Sequence, residues 1–135
     1  MTEEWGTRIG LLSMRLGVAT VFMAWTIDKM VNYAHNAGMI GHYYGLQISQ
    51  PVLLAVGIVE LVIVLAFIAG IYKTLTYGFI LLAHTGTTIA SFHRLLPPYE
   101  IHQLLYFGSI PMLGACIGLF LMRDKDTLLT FKGFN

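Results

Sequence analysis

The sequence predicts an all-α integral membrane protein, a bundle of four membrane-spanning helices with a longer interfacial loop between the first two helices. Of its 135 residues, 56% are hydrophobic and 11% are charged, whereas soluble domains carry about 25% charged residues. Four apolar runs are each long enough to cross about 30 Å of hydrocarbon as a helix. This chain length suits a single domain.

The four predicted spans are Ile9–Val31, Val52–Tyr72, Leu75–Leu96 and Gln103–Met122. Because very few residues separate the second span from the third, we expect these two helices to be antiparallel neighbours. The third span ends before a proline pair, Pro97 and Pro98, and a short link leads into the fourth.

The link between the first and second spans, residues 32–51, is long, polar and aromatic. It is too polar to cross a bilayer, so we expect it to lie at the membrane interface, with room for one short helix. Its tyrosines Tyr33, Tyr43 and Tyr44 suit the headgroup level.

The distribution of basic residues predicts the orientation of the chain. The side that holds both termini carries Arg8, Lys73, Arg123, Lys125 and Lys132, against Lys29 and Arg94 on the opposite side. The positive-inside rule therefore places both termini in the cytoplasm, and we expect a bacterial inner membrane. The net charge of +1 gives no reason to expect a nucleic-acid partner.

The first span contains three charged residues, Arg15, Asp28 and Lys29. Arg15 lies near the inner end of this helix, so we expect it to be a structural anchor with an acceptor that the sequence does not identify. Asp28 and Lys29 lie near the outer end and mark an outward-facing pocket. We expect their partners at that level to be His93 and Arg94.

Two further ionisable residues lie inside spans: Glu60 in the second and His84 in the third. Helix rise places them within about one turn of the same depth, so we expect a hydrogen bond between them. Two interpretations stay open. These residues and Arg15 form a neutralising network that only fixes helix packing, or they form a proton-coupled or ligand-binding site.

The sequence predicts no metal site. His84 and His93 are nine positions apart, on different faces and at different depths of one helix, which excludes haem ligation by this pair. Zinc-ligand spacings are absent as well. Cys116, the single cysteine, lies in a GxxxG pattern typical of helix packing, so redox chemistry requires a bound cofactor or a partner.

Two stretches resemble the DoxX family. The first helix of that family has an Arg, a Gly soon after and a Lys fourteen residues past the Arg, and Arg15, Gly17 and Lys29 match this pattern within LSMRLGVATVFMAWTIDKM. Its next block resembles YYGLQISQPVLLAVGIVELVIVLAFIAG, in which Glu60 and Gly70 occupy the family positions. The resemblance covers about residues 10 to 85.

This resemblance implies a four-helix membrane bundle and a link to quinone. Family members are associated with sulfur-compound oxidation coupled to quinone, with oxidoreductase complexes that respond to oxidative stress, and with accessory roles. We therefore expect a membrane subunit of a quinone-linked oxidoreductase that passes electrons from a small reductant or a partner protein to the quinone pool. Glu60 and His84 would be the catalytic relay, and the quinone head would bind Trp25, Asp28, Lys29, His93 and Arg94.

The chain departs from the family pattern at Trp25 and Thr26, where the family often has His followed by Gly. The alternative function is a non-catalytic accessory subunit of a larger respiratory or photosynthetic membrane complex, favoured by the small size and the GxxxG pattern. In either case we expect lipid and other membrane subunits as partners, with no covalently bound cofactor. A transporter is disfavoured because no inverted repeat is visible.

Overall fold

The computed structural model describes residues 2–92, 105–131 and 133, and most of them are helical. The α-helices are α1 Glu3–Val31, α2 Tyr33–Tyr44, α3 Gln50–Ala69, α4 Lys73–Ala90 and α5 Ser109–Leu121, and a short 3-10 helix, Arg123–Lys125, follows them. The described residues contain no β-strand. The all-helical prediction is confirmed. The predicted site residues His93 and Arg94, and the link after them, lie outside the described residues.

Helix α1 extends the first predicted span toward the amino terminus. The side chain of Thr2 caps this helix by accepting a hydrogen bond from the backbone N–H of Trp5 (3.3 Å). Glu3 and Glu4 occupy the first turn, where negative charge interacts favourably with the helix dipole. α1 and α3 are both long and apolar enough to cross a membrane. α5 is also apolar, with 13 residues.

Helix α2 lies within the long link between the first two predicted spans. Asn36 joins α2 to the end of α1 by donating to the carboxylate (2.9 Å) and the backbone carbonyl (3.0 Å) of Asp28. α2 ends at Gly45 in the left-handed conformation (φ 66°), and the Tyr33 hydroxyl donates to the carbonyl of Ile48 (2.7 Å). These contacts fold the link back onto the helices beside it.

A tight turn joins α3 to α4, so the expected antiparallel neighbours are present. Gly70 ends α3 with φ 67°, a conformation that glycine adopts without strain. α1 packs on α3, α4 packs on α5, and α1 also contacts α5. The buried apolar core between these helices is formed by Leu11, Val18, Ala19, Phe22, Val64, Phe67, Tyr77, Ile80, Cys116 and Leu119.

Helix α3 presents a broad apolar surface to the outside. Its exposed side chains include Val52, Leu54, Val56, Ile58, Val59, Val62 and Leu65. Contiguous apolar surface of this kind marks contact with lipid or with another protein.

Candidate functional site

Glu60 forms the centre of a polar contact between α3 and α1. Its Oε2 atom lies 2.5 Å from Nζ of Lys29, and its Oε1 atom accepts a hydrogen bond from the Thr26 hydroxyl (2.9 Å). The Glu60 side chain is nearly buried, whereas that of Lys29 is 27% exposed. Both carboxylate oxygens are therefore satisfied by α1, and the pair reaches the protein surface through the lysine.

Lys29 thus pairs with Glu60, a contact that the sequence did not predict, while its predicted partners His93 and Arg94 lie outside the described residues. Helical side chains lean toward the amino terminus of their helix, so the ammonium group lies below its own Cα, near the level of Thr26. Gly57 lets the two helices approach, since a methyl group added there would lie 2.7 Å from Cγ of Met30. Counting residues along the helix could not predict that the Lys29 side chain extends this far toward Glu60.

His84 lies in the same half of the molecule and is 1% exposed. Its Nε2 atom is 2.9 Å from the carbonyl oxygen of Ser109. Its ring stacks on Trp25, with centroids 6.1 Å apart and planes inclined by 20°, and meets the edge of Phe22 at 6.4 Å. Among the described residues, Nδ1 of His84 has no hydrogen-bond partner.

The predicted hydrogen bond between Glu60 and His84 is wrong. The carboxylate binds Thr26 and Lys29, and the imidazole binds Ser109. The reason lies in α1, where successive side chains point about 100° apart. Thr26 therefore faces Glu60 while its neighbour Trp25 faces His84. We call Trp25, Thr26, Lys29, Glu60 and His84 the outer layer.

Asp28 is turned away from this layer. Its carboxylate accepts hydrogen bonds from Asn32 (2.5 Å) and Asn36 (2.9 Å), which joins α1 to α2. The structure therefore pairs Lys29 with Glu60, separately stacks Trp25 on His84, places Asp28 apart, and leaves His93 and Arg94 outside the described residues.

An open groove runs along α3 and ends at Glu60. Its volume is about 360 Å³, and it is lined by Val52, Ala55, Val56, Val59, Glu60 and Phe79. All of these residues except Glu60 are apolar. The volume is within the range of small-molecule sites. The groove is therefore an almost wholly apolar surface of α3 that lies beside the contact between Glu60 and Lys29.

A second polar cluster lies near the middle of α1, at Arg15, about 21 Å from Lys29 by helix rise. Nη1 of Arg15 lies 2.8 Å from Oδ1 of Asp126, and both side chains are fully buried. The Tyr77 hydroxyl donates to the other oxygen of Asp126 (2.5 Å). Nη2 of Arg15 donates to the carbonyls of Leu128 (2.6 Å) and Leu129 (3.2 Å). Arg15, Tyr77 and Asp126 are the inner cluster.

The chain after the 3-10 helix closes over the inner cluster. We call residues 126–131 the C-terminal strap. Lys73 donates a hydrogen bond to the backbone carbonyl of Asp126 (2.5 Å). This lysine precedes the third predicted span. Burial lowers its pKa, although the nearby Asp126 carboxylate opposes this shift. The N–H of Phe131 donates to the carbonyl of Ala69 (3.1 Å). Both contacts fasten the strap to the turn between α3 and α4.

Asp126 is the acceptor that the sequence left unidentified for Arg15. The tail carries no helical or strand periodicity that would place a carboxylate inside the fold, and Tyr77 resembles any other apolar position of its helix. The sequence contained one indication of this acceptor. A buried arginine needs an acceptor, and Asp124 and Asp126 are carboxylates on the side of the chain that the sequence predicts to hold Arg15.

Within the part of the chain that the structure describes, no three His, Cys, Asp or Glu side chains lie close enough together to hold a metal ion. No protein-family model matches the chain, and no curated protein or solved structure is significantly similar to it.

Proposed function

We propose that this protein is a DoxX-like integral membrane bundle in which α1, α3, α4 and α5 cross the bilayer and both termini lie in the cytoplasm. In this proposal the protein is the membrane subunit of a quinone-linked oxidoreductase. The apolar outer surface of α3 and the length of α1 and α3 support the membrane location. The resemblance of residues 10 to 85 supports the family and the link to quinone.

The Glu60–Lys29 pair and the apolar groove beside it carry the proposal. A quinone has an apolar tail and a ring with two carbonyl oxygens that accept hydrogen bonds. The walls of the groove from Val52 to Val59 suit the tail, and the partly exposed Lys29 ammonium suits a carbonyl oxygen of the ring. The Lys29 ammonium carries three donors, and among the described residues it donates only to Glu60.

The paired residues also suit proton exchange. Reduction of a quinone to a quinol takes up two electrons and two protons. Lys29 donates a hydrogen bond to one quinone carbonyl, and Glu60 exchanges a proton at the same end of the ring. The electrons come from a small reductant or a partner protein, because the sequence contains no flavin or nicotinamide motif.

Quinone binding to the purified chain in lipid nanodiscs tests this proposal. Decylubiquinone should quench tryptophan fluorescence in the wild type, and Lys29→Met and Glu60→Gln should each weaken its binding about tenfold, equivalent to about 1.4 kcal/mol. Glu4→Gln is the matched control, because Glu4 is an exposed carboxylate paired with Arg8 at the other end of α1. Equal binding by all four proteins would overturn the proposal.

One observation favours the accessory-subunit alternative. The exposed side of α5 carries Ile110, Gly114, Ile117 and Leu121 at the spacing of one helix face. Small residues on such a face suit contact with another membrane helix. A methyl group added at the exposed Gly114 would meet no described atom within 4 Å, so we expect Gly114→Leu to be tolerated in the isolated chain. If this variant binds quinone normally but fails to co-purify with a complex, the accessory role is favoured.

A further inference from the structure

The turn between α3 and α4 lies at one edge of the hydrocarbon layer in the proposed membrane arrangement. α3 has 20 residues and is therefore about 30 Å long, which matches the thickness of that layer. The turn, residues 70–74, then lies at the level of the lipid headgroups on the inner side. Tyr72 is exposed there, at a level where tyrosine is enriched in membrane proteins. Side chains that contact this turn are therefore placed to meet headgroups.

Arg123, which follows α5, is held in a fixed position beside this turn. Its guanidinium lies over the ring of Phe120, 4.4 Å from the ring centroid. Nη1 donates to the backbone carbonyl of Phe120 (2.7 Å), and Nε donates to the hydroxyl of Thr74 (3.2 Å). These contacts fix the plane of the guanidinium before any ligand binds, which lowers the entropy cost of binding.

This guanidinium has donors left for a ligand. It carries five N–H groups, and the hydrogen bonds to Thr74 and Phe120 use two of them. Among the described residues, no carboxylate forms an ion pair with Arg123, and the residue is partly exposed. A planar cation with adjacent free donors suits two oxygens of one phosphate group.

The other charged side chains around the turn also favour an anion. Lys73 and Lys125 lie in the same two segments as Arg123, residues 72–74 and 123–126. The carboxylate of Asp126 is already paired inside the inner cluster, which leaves Asp124 as the exposed carboxylate of these segments. Three cations thus stand against one available carboxylate, and the surface is complementary to negative charge.

The C-terminal strap adds apolar contact at the same level. Its backbone is bound by the bundle, because the carbonyl of Leu129 accepts from Arg15 and the N–H of Phe131 donates to Ala69. Leu129 and Phe131 are nevertheless 78% and 67% exposed. An irregular segment is compatible with the edge of the hydrocarbon layer when its backbone groups are satisfied by protein in this way. The strap therefore offers two apolar side chains to acyl chains beside the cationic group.

We propose that Arg123 binds the phosphate of an anionic phospholipid of the inner leaflet, while Leu129 and Phe131 contact the acyl chains of the lipid. Phosphatidylglycerol keeps the negative charge of its phosphate, whereas the choline of phosphatidylcholine balances that charge with a cation. The surface therefore prefers the first lipid. The inference rests on the proposed membrane location and orientation and is independent of the quinone site.

Lipid binding to the purified chain in a neutral detergent, measured by native mass spectrometry, tests this inference. The wild type should bind phosphatidylglycerol about tenfold more tightly than phosphatidylcholine, equivalent to about 1.4 kcal/mol. In Arg123→Gln the ratio should fall to about one, because the variant lacks the cation that distinguishes the two headgroups. The double variant Leu129→Ser, Phe131→Ser should weaken the binding of both lipids by a similar factor and keep their ratio.

Arg8→Gln is the matched control. Arg8 also lies over an aromatic ring, that of Trp5, but its charge is paired with Glu4. This variant should keep the wild-type ratio. Equal affinity of the wild type for the two lipids, an undiminished ratio in Arg123→Gln, or an equal loss in Arg8→Gln would overturn the inference. Unchanged lipid binding by the double variant, or displacement of the lipid by an equal concentration of glycerol phosphate, would overturn the role of the acyl chains.

The result also separates this inference from the proposed function. If the chain enters bilayers and binds quinone but shows no preference between the two lipids, the membrane subunit stands and this surface falls. If the chain stays in solution without detergent and enters no bilayer, the proposed membrane location itself is overturned.

Discussion

The inner cluster and the outer layer both place charged side chains among apolar helices, but they use them differently. Arg15 and Asp126 are fully buried, bind each other, and lie under a strap of the same chain. In the outer layer Lys29 is partly exposed, and Glu60 lines an open groove. We therefore assign the proposed function to the outer layer, where the surroundings leave access to the Glu60–Lys29 pair.

The chemistry of the two cations explains part of this difference. The guanidinium of Arg15 is a planar group with several donors, and it binds a carboxylate and two backbone carbonyls at once. Such a network holds a strap in place. Lys29 has a flexible stem and a compact ammonium near the end of α1, which suits a contact that a ligand can share.

The largest expected effect is on the inner cluster. Asp126→Ala leaves Arg15 buried without its counter-charge and removes the acceptor of Tyr77. Breaking a buried pair in this way costs about 3–5 kcal/mol of the free energy of unfolding. Denaturant unfolding in detergent measures this loss. Asp124→Ala, which removes an exposed carboxylate two residues away, is the matched control. Equal stability of the two variants would contradict a structural role for the pair.

A smaller loss is expected where the strap crosses the end of α3. Gly70 has φ 67°, and a methyl group added there would collide with the side chain of Thr130. Gly70→Ala should therefore destabilise the protein by about 1–3 kcal/mol. Gly86 lies within α4, where a methyl group meets no described atom within 4 Å. Gly86→Ala should be neutral or stabilising, and thermal unfolding of both variants gives the comparison.

The smallest expected effect on stability is in the outer layer. Glu60→Gln keeps an acceptor for Thr26 and gives up the charge that pairs with the partly exposed Lys29. We expect a loss of about 1 kcal/mol in the free energy of unfolding. The same variant should lose about tenfold in quinone affinity, or about 1.4 kcal/mol. A loss of stability as large as that of Asp126→Ala, with unchanged quinone binding, would place Glu60 with the structural residues.

Composition and helix rise were sufficient to predict the helical class and to separate Arg15 from Lys29 along α1. They could not predict which side chains meet, because depth along a helix does not specify direction around it. Glu60 and His84 lie at one level, yet α1 presents a different residue to each. The choice of Asp126 over Asp124 as the partner of Arg15 could not be predicted for another reason. Asp126 lies in an irregular segment, where no periodicity indicates which side chain is buried.

The most direct test of the account is photolabelling with a quinone that carries a photoreactive group on its ring, followed by mass spectrometry of the labelled peptides. The account predicts labels on α1 between Trp25 and Val31 and on α3 between Val52 and Glu60, reduced in Glu60→Gln and unchanged in Asp124→Ala. Labels on the C-terminal strap or beside Arg15, with none near Glu60, would contradict it.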